Sequence, residues 1–214
     1  MQTSGNWKQG IGQFINRYSA TSSSDTDFDD FYHLLTDVSG HMKFEYPGST
    51  TLVTRLLGEC CPDGYTAFLC DTNTDICKAL IHFNRNNPHV QVFNENGYAR
   101  ARTVMPLDLI FIDPPDVDEQ LDDYLGLIEY CVSREQAFIS WNSLHGNPDH
   151  SGPSHSSTLI TSFALRNQIP LFEASWQDWT PRMCGCQMLL HVPNGDSLKQ
   201  SARQLARLMN WPSR

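Results

Sequence analysis

Hydrophobic positions along the chain follow two different periods. Trp7, Ile11, Phe14, Ile15 and Tyr18 recur at three- and four-residue steps, which predicts an amphipathic helix over 7–18. A Ser/Thr/Asp-rich linker over 19–27 follows. Phe28, Phe31, Tyr32, Leu34, Leu35 and Val38 then repeat the helical spacing, with Asp25 and Thr26 as capping candidates and Ser39-Gly40 as the stop. Beyond Tyr46 the character changes. Short apolar runs predict strands over 65–70, 90–93, 107–112, 137–141, 171–176 and 187–192. Between and around them, helical patterns occupy 50–58, 76–83, 121–130, 159–166 and 197–209. Asp63-Gly64, Asn84 to Pro88 and the Gly/Pro/Ser/His-rich stretch 146–157 read as turns and loops. Strands alternating with helices predict an α/β fold, a mostly parallel sheet with helices on both faces. The length suits a single domain over 1–214, with a helical part over 1–45 and an α/β core over 46–214.

Composition narrows the function. The net charge is −9, from 24 acidic and 15 basic residues, a poor match to nucleic-acid phosphate. Contact with RNA or DNA would therefore use a local patch or a more basic partner. No apolar run reaches the 18 residues of a membrane span, and residues 1–10 lack the apolar stretch of a secretory leader, so no membrane association is expected. The odd count of seven cysteines fits no small-domain disulfide framework and points to a reduced, cytoplasmic setting. Cys184-Gly185-Cys186 has a spacing unlike the usual zinc pairs, so buried free thiols are the better reading and no metal is expected. His145, His150 and His155 fall in the polar loop. The acid run Asp113, Asp116, Asp118, Glu119, Asp122 and Asp123 suits a solvated helix N-terminus better than a cation site.

The chemistry concentrates at Leu109-Ile110-Phe111-Ile112-Asp113-Pro114-Pro115. Four apolar residues predict a buried strand, and the two prolines stop both helix and ladder. Asp113 then lies at the carboxyl end of that strand, where open α/β sheets hold ligands. An Asp-Pro-Pro turn offers one amino group a side-chain oxygen and a backbone carbonyl. Tyr46-Pro47-Gly48-Ser49 opens a helix whose free N–H groups suit a carboxylate or phosphate, although a plainly capped helix explains the same residues.

These segments fall in a familiar order. Ser4-Gly5-Asn6-Trp7, Tyr46-Pro47-Gly48-Ser49 with Arg55-Leu56-Leu57, Ile112-Asp113-Pro114-Pro115, and the stretch from Met183 through Met188 to Pro193 resemble the RlmJ-type family of 23S ribosomal RNA adenine-N6 methyltransferases, some of whose members are associated with external-DNA catabolism. The resemblance covers most of the chain and implies a Rossmann-like methyltransferase sheet ending in an antiparallel hairpin. It implies S-adenosyl-L-methionine as cofactor and rRNA, or another nucleic acid with a flipped adenine, as substrate. It assigns catalysis to Asp113, Pro114 and Pro115. Cofactor contacts fall to Ser49, Asp71, Asn96 and Gly97, and substrate contacts to Asp116, Tyr124 and Trp141.

The departures from the family are equally specific. The family's glycine-rich cofactor loop has no counterpart in the 214 residues, and its stacking aromatic is replaced by Asp116. Tyr124 or Trp141 would have to stand in for that aromatic. Either a longer start or a second polypeptide would complete the cofactor site. Otherwise the chain is an inactive homologue serving as an interaction or regulatory subunit.

Overall fold

The structure is a computed structural model, and it describes residues 49–61, 64–114, 117–149, 151–175 and 183–193, together with 195, 200 and 203. The helices expected over 7–18 and 28–38 lie outside these residues, as does most of the one expected over 197–209. The chain divides into two compact units at Arg100/Ala101, each taken here by itself.

The first unit begins with helix α1 (Ser49–Cys60), then strand β1 (Ala67–Cys70), helix α2 (Thr74–Phe83), strand β2 (Val90–Phe93) and helix α3, which runs from Gly97 to Val104 and so reaches past the division. Strands β1 and β2 pair in parallel, from Ala67 opposite Val90 to Cys70 opposite Phe93. The intervening α2 is the crossover that a parallel pair requires. Asn73 starts α2 in extended backbone, and its side chain accepts from the N–H groups of Asp75 and Ile76. The Tyr65 hydroxyl donates to the Thr54 carbonyl (3.1 Å) and accepts from Asn87 Nδ2 (2.7 Å), tying α1 to the loop before β2.

The second unit holds strand β3 (Ile110–Ile112), a 3₁₀ turn (Asp118–Gln120), helix α4 (Leu121–Ser133), strand β4 (Phe138–His145), helix α5 (His155–Arg166), strand β5 (Leu171–Ser175) and strand β6 (Met183–His191). The sheet order is β3-β4-β6-β5. The β3–β4 pair is parallel, and both pairings of β6 are antiparallel. The antiparallel close anticipated from the sequence is therefore present, and it occupies three strands rather than a lone hairpin. The Gln136 side chain aligns β3 with β4 at their starts, accepting from Leu107 N (3.1 Å) while donating to Leu107 O.

The core of this unit follows directly from the sequence periods. Tyr124, Leu127, Ile128 and Cys131 sit three or four residues apart on α4, and all four are buried. Burial alternates along β4, with Phe138, Ser140, Asn142 and Leu144 on the sealed face. The other face carries Ile139 and Trp141 onto a cluster of Phe172, Met188 and Leu190. Strand β6 is flanked on both sides, and residues 184–190 are all buried.

Strand β6 begins at Met183 rather than at 187, strand β3 is confined to 110–112 of the expected 107–112, and three further elements depart from the sequence expectation. Helix α3 was not anticipated, because Gly97-Tyr98-Ala99-Arg100-Ala101-Arg102 has no apolar stripe. Asn96 is its cap, with Oδ1 accepting from Tyr98 N (2.8 Å) and Ala99 N (3.3 Å). Strand β4 continues four residues past Trp141, because β6 pairs with it as far as His145. Helix α5 starts at His155, inside the expected loop, because the Ser154 side chain caps it through Ser157 N.

Candidate functional site

Some of the residues expected to bear function follow the carboxyl ends of parallel strands, Asp71 in the first unit and Asp113 with Pro114 in the second. In the first unit, β1 delivers Asp71 at its end. The Asp71 N–H continues the β ladder to Phe93 O (3.2 Å), and its Oδ1 accepts from Asn73 N (2.7 Å). That bond fixes one carboxylate oxygen. Asn94 closes the neighbouring strand end. Its Nδ2 donates to the carbonyls of Asp71 (3.0 Å) and Thr72 (2.9 Å), and its Oδ1 accepts from Thr74 Oγ1 (2.9 Å). Gly97 begins α3 so close to β1 that an added Cβ would stand 3.3 Å from the Cys70 Cβ. Asp71 follows β1, and Asn96 and Gly97 follow β2, its parallel neighbour. Ser49 is the first, half-buried residue of α1.

Charge in this edge is balanced locally. Arg100 lies 3.9 Å over the Phe93 ring and pairs with Glu95 at 3.6 Å. Burial, and secondarily the Glu95 carboxylate, pushes the Cys70 thiol above its ordinary value. Cys70 is therefore a neutral wall of the edge. An open pocket of about 350 Å³ in the same unit is lined by Thr51, Thr54, Arg55, Phe83 and Asn84 among others, and includes none of the expected site residues.

In the second unit, Asp113 and Pro114 follow β3 directly, Asp113 exposed and Pro114 half-buried. Pro115 and Asp116 lie outside the described residues. Ile112 pairs with Ser140 of β4, so the residue before Asp113 is aligned with a buried polar group. Ser140 Oγ and the Tyr124 hydroxyl are 2.8 Å apart, Asn142 Nδ2 donates to that hydroxyl at 2.6 Å, and Ser140 Oγ donates to Asn142 Oδ1 at 3.3 Å. All three side chains are 0 or 1% exposed. This triangle is a fixed polar strut under the β3–β4 strand ends.

Two expected aromatic contacts take on other roles. The Tyr124 ring is sealed in the core with its hydroxyl in the strut, so no face of it meets an incoming base. Trp141 packs against the Phe172, Met188 and Leu190 cluster and is partly buried there. The strut itself escaped the sequence reading. Its signal was two polar residues, Ser140 and Asn142, spaced by two on a strand of otherwise apolar inward positions.

Among the described residues no group of three His, Cys, Asp or Glu side chains is arranged to hold a metal. Cys60 and Cys61 are exposed, whereas Cys184 and Cys186 are buried, and Cys184 Sγ contacts the Leu144 carbonyl at 3.3 Å. Among the same residues no helix is long and apolar enough to cross a membrane.

The chain is a mixed α/β protein, with a carboxylate following a parallel strand in each unit. No family model and no curated protein matches the chain. Among solved structures, a protein of Legionella pneumophila strain Philadelphia 1, described under the family model DUF519, aligns with a TM-score of 0.71 at 16% identity. The alignment covers 99% of this chain and 81% of that one. The two share a fold. An O-methyltransferase family protein from Burkholderia thailandensis aligns at a TM-score of 0.43 and 12% identity, over 89% of this chain and 70% of that one. A precorrin 8w decarboxylase from Methanobacterium thermoautotrophicum aligns at 0.39 and 11%, over 69% of this chain and 93% of that one.

Proposed function

We propose that the chain belongs to an S-adenosylmethionine-dependent methyltransferase acting on the exocyclic amine of adenine in RNA. The observation that supports this is the Asp113-Pro114 turn at the carboxyl end of parallel strand β3. The Asp113 carboxylate and the Pro114 carbonyl both accept hydrogen bonds. Together they would hold the two protons of an adenine amine and aim its lone pair. Pro115 would keep that carbonyl in place, and Asp116 would border the base. Asp71 fits a ribose hydroxyl, because one of its oxygens is fixed by Asn73 and the strand end presents the carboxylate. Asn96 and Gly97 would flank the cofactor adenine, and the N–H groups around Ser49 suit its amino-acid carboxylate. S-adenosylmethionine supplies an electrophilic methyl group when bound. The chain's part is to orient the amine and to exclude water.

A second reading is an inactive homologue acting as an interaction subunit. The burial of Tyr124 favours it, since one of the two rings that would replace the missing stacking aromatic is unavailable to a base.

Calorimetric titration with S-adenosylmethionine and S-adenosylhomocysteine separates the two. Micromolar binding, followed by methyl transfer to adenine in rRNA that Asp113→Ala abolishes, supports the enzyme. Absence of binding at millimolar ligand favours the interaction subunit.

A further inference from the structure

One proton of the polar strut is left over. Ser140 Oγ gives its proton to Asn142 Oδ1 (3.3 Å). The Tyr124 hydroxyl therefore donates to Ser140 Oγ (2.8 Å) and accepts from Asn142 Nδ2 (2.6 Å). That closes the triangle with only one of the two protons on Asn142 Nδ2. Among the described residues the second proton meets no acceptor, although Asn142 is buried.

The neighbouring strand holds the complementary group. Asn142 of β4 is in register with Gln187 of β6, and Gln187 with Glu173 of β5. Paired residues lie on the same face, so the three side chains form a polar row across the sheet. Gln187 Nε2 lies 2.7 Å from Thr161 Oγ1, and 3.3 Å from both the Ser157 carbonyl and Glu173 Oε2. Thr161 gives its own proton to the Ser157 carbonyl (3.0 Å), so its oxygen accepts from the amide. Three acceptors around that nitrogen fix the orientation of the amide, because a turned amide would press oxygen against oxygen. Gln187 Oε1 is then a buried acceptor that no donor among the described residues reaches.

A spare donor and a spare acceptor thus stand on paired residues of adjacent strands, whose Cβ atoms are roughly 5 Å apart in antiparallel pairing. The two amides share no hydrogen bond of their own. Buried polar groups are satisfied by protein or by ordered water, and water both accepts and donates. We propose that Asn142 and Gln187 form a binding site for a single internal water molecule, which accepts from Asn142 Nδ2 and donates to Gln187 Oε1. The water joins the strut to Glu173 and Thr161, so that one hydrogen-bonded row ties helices α4 and α5 together through β4, β6 and β5. This inference does not depend on the methyltransferase reading.

The test is a crystal structure of the 214-residue chain, together with water-to-amide cross-relaxation of the isotope-labelled protein in solution. The expected density is a fully occupied water within about 3.2 Å of both Asn142 Nδ2 and Gln187 Oε1. The Asn142 amide protons should show laboratory-frame and rotating-frame Overhauser peaks of opposite sign to water, the mark of a long-lived bound molecule. Gln187→Met keeps the length of the side chain and removes the acceptor, so those peaks should disappear while the bond from Asn142 to Tyr124 remains. A direct bond between the two amides, a water that touches only one of them, or no water between them overturns the proposal. Peaks that persist in Gln187→Met overturn it as well, since a neighbouring hydroxyl would then be their source. Density and relaxation of the unmodified chain decide the matter if that variant does not fold.

Discussion

Replacing Tyr124 by Phe removes one oxygen from the strut and nothing else. The ring stays, so no cavity of consequence opens at a residue that is 0% exposed. Asn142 Nδ2 loses the acceptor it holds at 2.6 Å, and Ser140 Oγ loses its 2.8 Å partner while keeping Asn142 Oδ1 at 3.3 Å. One buried donor is thus left unsatisfied, and a second group is weakened. A stranded buried polar group costs roughly 1–3 kcal/mol, so Tyr124→Phe should destabilise the fold by about 2 kcal/mol. Asn142→Ala alone should cost at least as much, since it also removes side-chain volume. In the double variant the stranded amide is gone, so the two effects should fall short of their sum by about 1 kcal/mol. Urea unfolding of the four proteins measures this as a double-mutant cycle, with an unchanged slope required for the comparison. A Tyr124→Phe effect under about 0.5 kcal/mol, or strict additivity, would refute the strut.

Three further outcomes follow from particular contacts. Burial pushes the Cys186 thiol up to about 12 and the Cys131 thiol up to about 11, from 9.0. These raised values mean that the folded chain holds its thiol protons more tightly than the unfolded chain. Their stabilising effect is complete below pH 9.0 and is lost as pH rises toward 11 and 12, so urea midpoints should fall above pH 9 and Cys186→Ala should flatten that fall. Asn96→Ala removes the cap of α3 and should cost about 1 kcal/mol, with faster exchange at Tyr98 and Ala99, whereas Asn96→Asp should retain most of the stability. Gly126→Ala lies inside α4, where the new methyl meets only the mobile end of Arg102 at 2.9 Å, so a gain of up to about 1 kcal/mol in unfolding free energy is expected.

Legibility in the sequence tracked how far each signal depended on local pattern. The stripe Tyr124, Leu127, Ile128 and Cys131 announced a helix because burial sets its period. The run Leu109–Ile112 gave a strand at 110–112 that is not the buried one expected, since Leu109 and Phe111 are exposed. Asp71 and Asp113 could be placed at strand ends because apolar runs precede them. Helix α3 could not, because alanine and arginine propensity and the Asn96 cap sustain it without an apolar face. Tyr124 was misjudged because sequence records an aromatic residue but not which way its hydroxyl is tethered. The partners that tether it, Ser140 and Asn142, are 16 and 18 residues away. Asn94 was missed similarly, since its amide acts across the gap between two strand ends.

The place of β6 in the sheet has a consequence for the order in which the protein can be made. Among the described residues strand β5 pairs with β6 alone, and β4 has β6 as its second neighbour. Both therefore leave the ribosome before the strand that joins them. At ordinary elongation speeds the sixteen residues from the end of β5 at Ser175 to the end of β6 at His191 take on the order of one to a few seconds to synthesise. Throughout that interval the two β edges that β6 will fill stay unpaired. A ribosome paused in this stretch would hold an intermediate prone to pairing with a neighbour on the same messenger, and slow codons there would lower the yield of folded protein without altering one residue of it.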